Sequence, residues 1–257
     1  MEFIHVLAGL GVGIIVGLTG VGGGALMTPI LILGFGINPA IAVGTDLLYA
    51  ALSKAGAAWL HSRYHNVDWN IVGFLALGSV PMSIITGLLL QFIHVQGANY
   101  NEFITSIIGL MLVVTAFLMI FKQQIVNSKI FGINGLSESS RYFVTFCAGM
   151  LLGVVVTLSS IGAGAIGAAV LSLLYPELKT SKIIGTDLVH AVPLAAVAGL
   201  GHWQFLGSVD FMLLGGLLVG AYPGIAVGSM LNFRLPERLL RNTLAAMLLL
   251  IGLRFAF

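Results

Sequence analysis

The chain is strongly apolar and carries few charges. Of its 257 residues, 58% have hydrophobic side chains and 8% are charged, against about 25% charged residues in a typical soluble domain. Eleven basic and nine acidic side chains cannot cover a soluble surface of this size, and a net charge of +2 provides no basic surface for nucleic acid. The composition excludes a soluble enzyme and a nucleic-acid-binding protein, and it predicts an all-α polytopic membrane protein.

The polar residues give no sign of a metal or a cofactor. The single cysteine, Cys147, excludes an internal disulfide, a thiolate metal cluster and a redox pair. No two histidines or carboxylates have the spacing of metal ligands with a third ligand nearby. We therefore expect neither a metal nor a cofactor.

Ten apolar segments follow one another along the chain. A membrane-spanning helix needs about 20 residues, which seven segments reach comfortably and the first reaches marginally. Two segments, 24–36 and 163–175, follow glycine-rich breaks and are too short to span, so we expect half-helices or re-entrant segments there. About eight full spans and two short segments result. The ten lie at about 3–18, 24–36, 39–61, 69–92, 102–121, 142–158, 163–175, 182–202, 209–231 and 236–256.

The basic residues predict the orientation in the membrane. If the amino terminus lies outside and the chain changes side at each segment end, nine of the eleven basic residues fall on the inner side. Cytoplasmic loops carry such an excess of Lys and Arg. Arg254 is then outside and Lys54 lies within a segment. The chain is thus predicted to have both termini outside.

The chain contains an internal repeat with an offset of about 140 residues. Gly44-Thr45-Asp46-Leu47 matches Gly185-Thr186-Asp187-Leu188, and the glycine-rich stretch 21–25 matches 161–165. Each copy holds five segments, and an odd number turns the second copy upside down relative to the first. Inverted repeats with paired broken helices are typical of secondary transporters. We expect repeats over 1–121 and 142–257, joined by a cytoplasmic linker over 122–141, within one transmembrane domain.

These motifs resemble those of a known family. The stretch 17–24 (GLTGVGGG), then Pro29, Gly44-Thr45 and His61 followed by Asn66-Val67-Asp68-Trp69, is similar to the sulfite exporter TauE/SafE family. The resemblance runs over nearly the whole chain. It implies a bacterial or archaeal permease of the plasma membrane for small, often sulfur-containing anions such as sulfite, thiosulfate or a small sulfonate. Proton-linked or uniport movement is expected of such a protein.

The two glycine runs are candidate anion sites. A half-helix that begins near the middle of the bilayer has unpaired N–H groups and a partial positive charge at its start. A kink that serves only packing is the competing interpretation, and a nucleotide-binding loop is a weak one because no strand precedes the glycines. The predicted backbone donors are Gly22, Gly23, Gly24, Ala25, Gly162, Ala163, Gly164 and Ala165.

The paired Thr-Asp motifs are candidates for substrate binding and proton coupling. A carboxylate inside the membrane is costly and is therefore a functional candidate by default. We expect Asp46 and Asp187 to couple transport to protons and Thr45 and Thr186 to offer hydroxyl groups to the anion. The alternative is that these residues cap broken backbone. His190 follows Asp187 by three residues and either extends a proton relay or is a buried, hydrogen-bonded histidine.

Lys54 is the one basic residue within a predicted span, and its repeat counterpart is Ala195. It either faces the cavity, where it attracts the anion or pairs with a carboxylate of the other repeat, or it extends to the inner interface. The sequence thus predicts a transporter that moves a small anion by alternating access and that is not an enzyme. Its partners would be the anion, lipid and protons. A passive anion channel and a membrane-embedded enzyme or assembly factor remain the alternatives.

Overall fold

A computed structural model describes residues 3–19, 24–95, 100–127, 137–162, 164–231 and 237–256. This part of the chain forms ten α-helices and no strands. Each helix coincides with one of the ten apolar segments. Their bounds are α1 Phe3–Thr19, α2 Gly24–Phe35, α3 Pro39–Arg63, α4 Trp69–Val95, α5 Tyr100–Asn127, α6 Glu138–Ser159, α7 Ala165–Leu174, α8 Thr180–Leu206, α9 Phe211–Leu231 and α10 Glu237–Ala256.

Local sequence signals explain several helix ends. The side chain of Asn38 accepts a hydrogen bond from the Ala40 amide, and Pro39 occupies the first position of α3. At the start of α9, the Asp210 carboxylate accepts from the amides of Met212 and Leu213, both at 2.9 Å. Helix α8 ends at Gly207, whose left-handed conformation (φ 60°) has no steric cost for glycine.

The helices around the predicted linker are longer than the apolar segments. Helix α5 continues to Asn127 and α6 begins at Glu138, so much of the 122–141 stretch is helical. An apolar segment identifies only the part of a helix that can lie in lipid. The helix itself can continue into polar residues, because its backbone hydrogen bonds do not depend on apolar side chains. Glu138 in the first turn of α6 also interacts favourably with the helix dipole.

Within the described residues, five helices are long and apolar enough to cross a membrane: α4, α5, α6, α8 and α9. Helices α2 and α7 have 12 and 10 residues, or roughly 18 and 15 Å of length. They are shorter than the hydrocarbon core of about 30 Å. The described part of the chain is therefore all-helical, and its long apolar helices make the protein a multi-pass membrane protein.

The main helix pairs each join one helix of the first half of the chain with one helix of the second half. Helix α1 lies along α9 and α4 lies along α6, while α3 packs on α8 and α5 on α10. Glycines bring the first pair together: a Cβ on Gly13 would lie 2.6 Å from the Ala221 carbonyl oxygen, and one on Gly220 would lie 1.9 Å from that of Val6. Glycines repeat every four residues on both helices, at Gly9, Gly13 and Gly17 of α1 and at Gly216, Gly220, Gly224 and Gly228 of α9, which is the spacing that lets helix backbones approach closely in lipid.

Candidate functional site

The two Gly-Thr-Asp motifs lie where α3 and α8 meet the helices of the other half. The hydroxyl oxygen of Thr45 accepts a hydrogen bond from the Asp210 amide at 3.1 Å. In the matching position, Thr186 accepts one from the Asp68 amide at 2.9 Å. Each threonine thus satisfies a backbone N–H at the start of a helix more than one hundred residues away.

The glycines before these threonines allow the close contact. A Cβ on Gly44 would lie 2.0 Å from the Ser208 carbonyl oxygen, and one on Gly185 would lie 2.0 Å from that of Asn66. Both neighbouring atoms are backbone, which cannot move aside by a rotamer change. The matched Gly-Thr pairs therefore dock α3 and α8 against the segments that lead into α9 and α4.

Asp46 lies one residue beyond this contact and is fully buried. Its Oδ2 accepts a hydrogen bond from the Thr28 hydroxyl of α2 at 2.5 Å. The side chain of Ser160, at the end of α6, lies against the same carboxyl group. Two hydroxyl groups that the sequence did not single out thus surround a predicted site residue.

Lys54 is also buried and lies close to both predicted aspartates. Lys54 is 4% exposed to solvent, and Asp187 is 3% exposed. The ammonium group is close enough to the carboxylates of both Asp187 and Asp46 to interact with them electrostatically. Since Asp187 belongs to α8, the lysine of one half lies near a carboxylate of the other half.

The helix break between α6 and α7 borders this cluster. Ser160, Gly162 and Gly164 all have left-handed or otherwise positive φ angles of 58°, 114° and 134°. The first N–H groups of α7 therefore belong to a chain that has turned sharply after α6. A Cβ on Gly167, in the first turn of α7, would lie 2.0 Å from Oδ1 of Asp187, so a larger residue there would displace this carboxylate.

The other predicted glycine-rich break lies largely outside the described residues. Gly22 and Gly23 lie outside the described residues, and Gly24 and Ala25 are described only as helical backbone at the start of α2. In the second break, Ala163 also lies outside the described residues. The structure therefore brings Asp46, Lys54, Asp187 and the Gly164–Ala165 start of α7 into one region, whereas the backbone donors of the first break stay a prediction.

His190 points to a second buried polar region between α4, α6 and α8. Its Nε2 lies 2.8 Å from the Ser79 hydroxyl of α4. Nearby on the same helices, Thr157 interacts with Ser83 at 2.8 Å, and Nε2 of His202 lies 2.9 Å from the Thr157 carbonyl oxygen. Buried polar groups require such partners, and here they link three helices.

Asp68 and Asp210 act as helix caps, because each carboxylate accepts a hydrogen bond from an amide in the first turn of the following helix. Asp68 also forms a salt bridge with Lys182 at 3.1 Å between Oδ2 and Nζ. Both side chains of this pair are partly exposed. Among the described residues, no group of three or more His, Cys, Asp or Glu side chains could hold a metal ion.

Comparisons with known proteins agree with the membrane architecture. The family model for the sulfite exporter TauE/SafE matches residues 5–255. The chain is 37% identical to the probable membrane transporter protein YjnA of Bacillus subtilis strain 168 over 257 residues, which cover 99% of each chain. It is 27% identical to the probable membrane transporter protein YdhB of the same organism, over 95% of this chain and 96% of the relative.

A further relative comes from an archaeon. The probable membrane transporter protein MJ0441 of Methanocaldococcus jannaschii is 24% identical over 96% of this chain and 92% of its own. No solved structure matches the chain significantly. The chain belongs to the sulfite exporter TauE/SafE family and is a multi-pass membrane transporter of the cell membrane, not an enzyme.

Proposed function

We propose that this transporter moves a small, sulfur-containing anion such as sulfite, thiosulfate or a small sulfonate by alternating access, coupled to protons. The observation that carries the proposal is the buried cluster of Lys54, Asp46 and Asp187, to which α3 and α8 of the two halves contribute. Charged groups within the membrane are costly and mark transport pathways.

Alternating access requires two units that move relative to each other. We assign these units to inverted repeats over 1–121 and 142–257, linked by 122–141, with about eight full spans, two short segments and both termini outside. The packing of the helices supports this assignment. Helix α1 packs on α9, and their counterparts in the other repeat, α6 and α4, pack on each other in the same way. The matched hydrogen bonds of Thr45 and Thr186 support it as well.

The anion would lie between the starts of the two short helices. Lys54 would supply the compensating charge, and the backbone N–H groups of the two glycine-rich breaks would supply directed donors. Because the hydroxyl oxygens of Thr45 and Thr186 accept from backbone amides, these residues would position the site. Their hydroxyl protons would remain available as donors.

Electrostatics couples the anion to a proton. Two carboxylates and one ammonium give the cluster a net charge of −1 when all are ionised, and a bound monovalent anion would make it −2. Protonation of one carboxylate relieves this repulsion, so the anion and the proton bind better together than either does alone. Asp46 and Asp187, with His190 beside the latter in sequence, would carry this coupling.

Counterflow in proteoliposomes tests the proposal. Vesicles loaded with unlabelled sulfite should transiently accumulate labelled sulfite, and external sulfonates or carboxylates that bind should reduce this accumulation. Lys54→Ala should weaken it, whereas Lys182→Ala removes a partly exposed lysine and should not. A flux without counterflow would indicate a channel, and the absence of transport for every anion tried would refute the proposed substrate class.

A further inference from the structure

His202 is a fully buried histidine near the end of α8 that contacts two other helices. Its Nε2 lies 2.9 Å from the Thr157 carbonyl oxygen in the last turn of α6. In addition, a Cβ on Gly44 of α3 would lie 3.1 Å from the Cβ of this histidine. His202 therefore joins the Gly-Thr-Asp motif of α3 to the end of α6, where the chain breaks before α7.

The hydrogen bonds at the end of α6 leave one carbonyl group for this histidine. Ser160 has a left-handed backbone of φ 58°, and its amide donates to the Val156 carbonyl oxygen. In a continuing helix, the Ile161 amide would donate to the Thr157 carbonyl oxygen. Instead, the Ile161 amide donates to the Ser159 hydroxyl oxygen at 3.2 Å. The Thr157 carbonyl is thus one of the unpaired groups of a helix end, and the imidazole supplies its donor.

The geometry determines which nitrogen of the imidazole carries the donated proton. A carbonyl oxygen can only accept a hydrogen bond, so Nε2 of His202 is protonated. Nδ1 is buried and has no hydrogen-bond partner among the described residues. The side chain therefore acts through a single N–H group, and a functional replacement must place a donor at the position of Nε2.

The internal repeat places a second histidine at the matched position of the first half. This residue is His61, near the end of α3. A Cβ on Gly185 of α8 would lie 2.9 Å from Nδ1 of His61. Each histidine thus packs against the glycine of the Gly-Thr-Asp motif in the opposite half. The contact is part of the repeated architecture, and His202 adds to it a hydrogen bond at the helix break.

The last hydrogen bond of α6 determines where α7 begins, because only a short break separates the two helices. In the first turn of α7, a Cβ on Gly167 would lie 2.0 Å from Oδ1 of Asp187. If the Thr157 carbonyl accepted from the Ile161 amide, α6 would extend by one residue. The start of α7 would then shift relative to this carboxylate.

We infer that His202 is a positioning residue for the anion site. Its Nε2–H group occupies the Thr157 carbonyl and thereby holds the break between α6 and α7 in the arrangement that binds the anion. This inference rests on the proposed function and adds to it a residue that acts through the backbone of α6.

A transporter that adopts its binding arrangement only part of the time binds its substrate more weakly by that fraction. Loss of the donor should therefore raise the anion concentration that gives half-maximal counterflow. The maximal rate should change less, because the bound anion itself favours the binding arrangement.

Three substitutions of His202 separate the hydrogen bond from the volume of the side chain. In His202→Gln, the amide nitrogen lies as many bonds from Cβ as Nε2 does in histidine, so it can donate to the Thr157 carbonyl. In His202→Asn, the amide nitrogen reaches only as far as Nδ1, and His202→Met has no donor. Sulfite counterflow in proteoliposomes should show a half-maximal concentration raised roughly tenfold in the Asn and Met variants, as expected for the loss of one hydrogen bond. His202→Gln should remain close to wild type.

Thr145→Val is the matched control, because it removes a buried hydrogen bond at the other end of α6. The Thr145 hydroxyl lies 2.7 Å from the Tyr175 hydroxyl, and Thr145 is fully buried. This variant should unfold at a lower temperature than wild type without a change in the half-maximal concentration. An equal rise of this concentration in Thr145→Val and His202→Met, or in His202→Gln and His202→Met, would overturn the inference.

Hydrogen exchange of the purified protein without substrate tests the role of His202 independently of transport. Backbone amides of residues 160–167 should exchange about tenfold faster in His202→Met than in wild type, because the break then samples other arrangements. His202→Gln should retain the exchange rates of wild type. Unchanged or slower exchange of this segment in His202→Met would refute the inference.

The two measurements separate this inference from the proposed function. If wild type transports none of the anions, the proposed function fails, while hydrogen exchange still decides whether His202 holds the break. If wild type transports sulfite and exchange is unchanged in His202→Met, the proposed function stands and the inference fails.

Discussion

The contact between α1 and α9 allows a quantitative prediction from one added methyl group. A Cβ on Gly220 would lie 1.9 Å from the Val6 carbonyl oxygen and 2.6 Å from the Leu10 amide nitrogen. Close contacts between carbon and oxygen are about 3.3 Å. The helices would have to separate by more than about 1 Å, and both obstructing atoms belong to the backbone.

We therefore expect Gly220→Ala to destabilise the protein. Overpacking of this kind costs about 1–3 kcal/mol. Gly215 in the same helix is the matched control, since an added Cβ there meets no atom within 4 Å. Gly215→Ala should gain about 0.5–1 kcal/mol, because alanine favours the helix over glycine.

The measurement is the unfolding temperature of the two variants and wild type, purified in the same detergent and heated in parallel. Gly220→Ala should unfold below wild type, and Gly215→Ala at or above it. If the two variants were equally stable, α1 and α9 would not approach as closely as the structure indicates, and the argument from backbone contact would be wrong.

Three further perturbations have defined outcomes. Thr45→Val and Thr186→Val should each cost about 1–2 kcal/mol of unfolding free energy, measured thermally, because each leaves a helix-start amide without its acceptor. Lys182→Met should cost less than about 1 kcal/mol, and high salt should reduce this difference, since the salt bridge is partly exposed. Ser79→Ala should cost about 1–3 kcal/mol, because it leaves the buried His190 Nε2 without its partner; an unchanged unfolding temperature would contradict this hydrogen bond.

The sequence was sufficient to predict the ten helices and their close packing. Apolar length and glycine-rich breaks identify α2 and α7 as short, and the spacing of Gly9, Gly13 and Gly17 predicts a close contact on α1. These features are local and periodic, so they are visible in a single sequence. The partner helix could not be predicted in the same way, because a row of glycines indicates that a helix approaches another closely but not which helix it approaches.

The candidate site was only partly accessible from sequence. Asp46, Asp187 and Lys54 are conspicuous because charges are rare in apolar segments, and the structure brings them together. Thr28 and Ser160 were missed because single hydroxyl residues are common in membrane helices, where they bond to the preceding turn. Ser160 had one usable signal: the residue matched to it in the first half is a glycine.

The Gly-Thr-Asp sequence explains how a helix contact between the halves is linked to the buried charge cluster. Successive residues on an α-helix point about 100° apart. Thr45 therefore faces the start of α9, where it accepts from Asp210, while Asp46 faces Thr28 of α2. Because Gly44 meets the Ser208 carbonyl oxygen without room for a side chain, α3 cannot slide along this segment without breaking the Thr45 bond. Since Thr45 and Asp46 are neighbours on one helix, a movement of α3 away from the start of α9 would also move the Asp46 carboxylate away from α9.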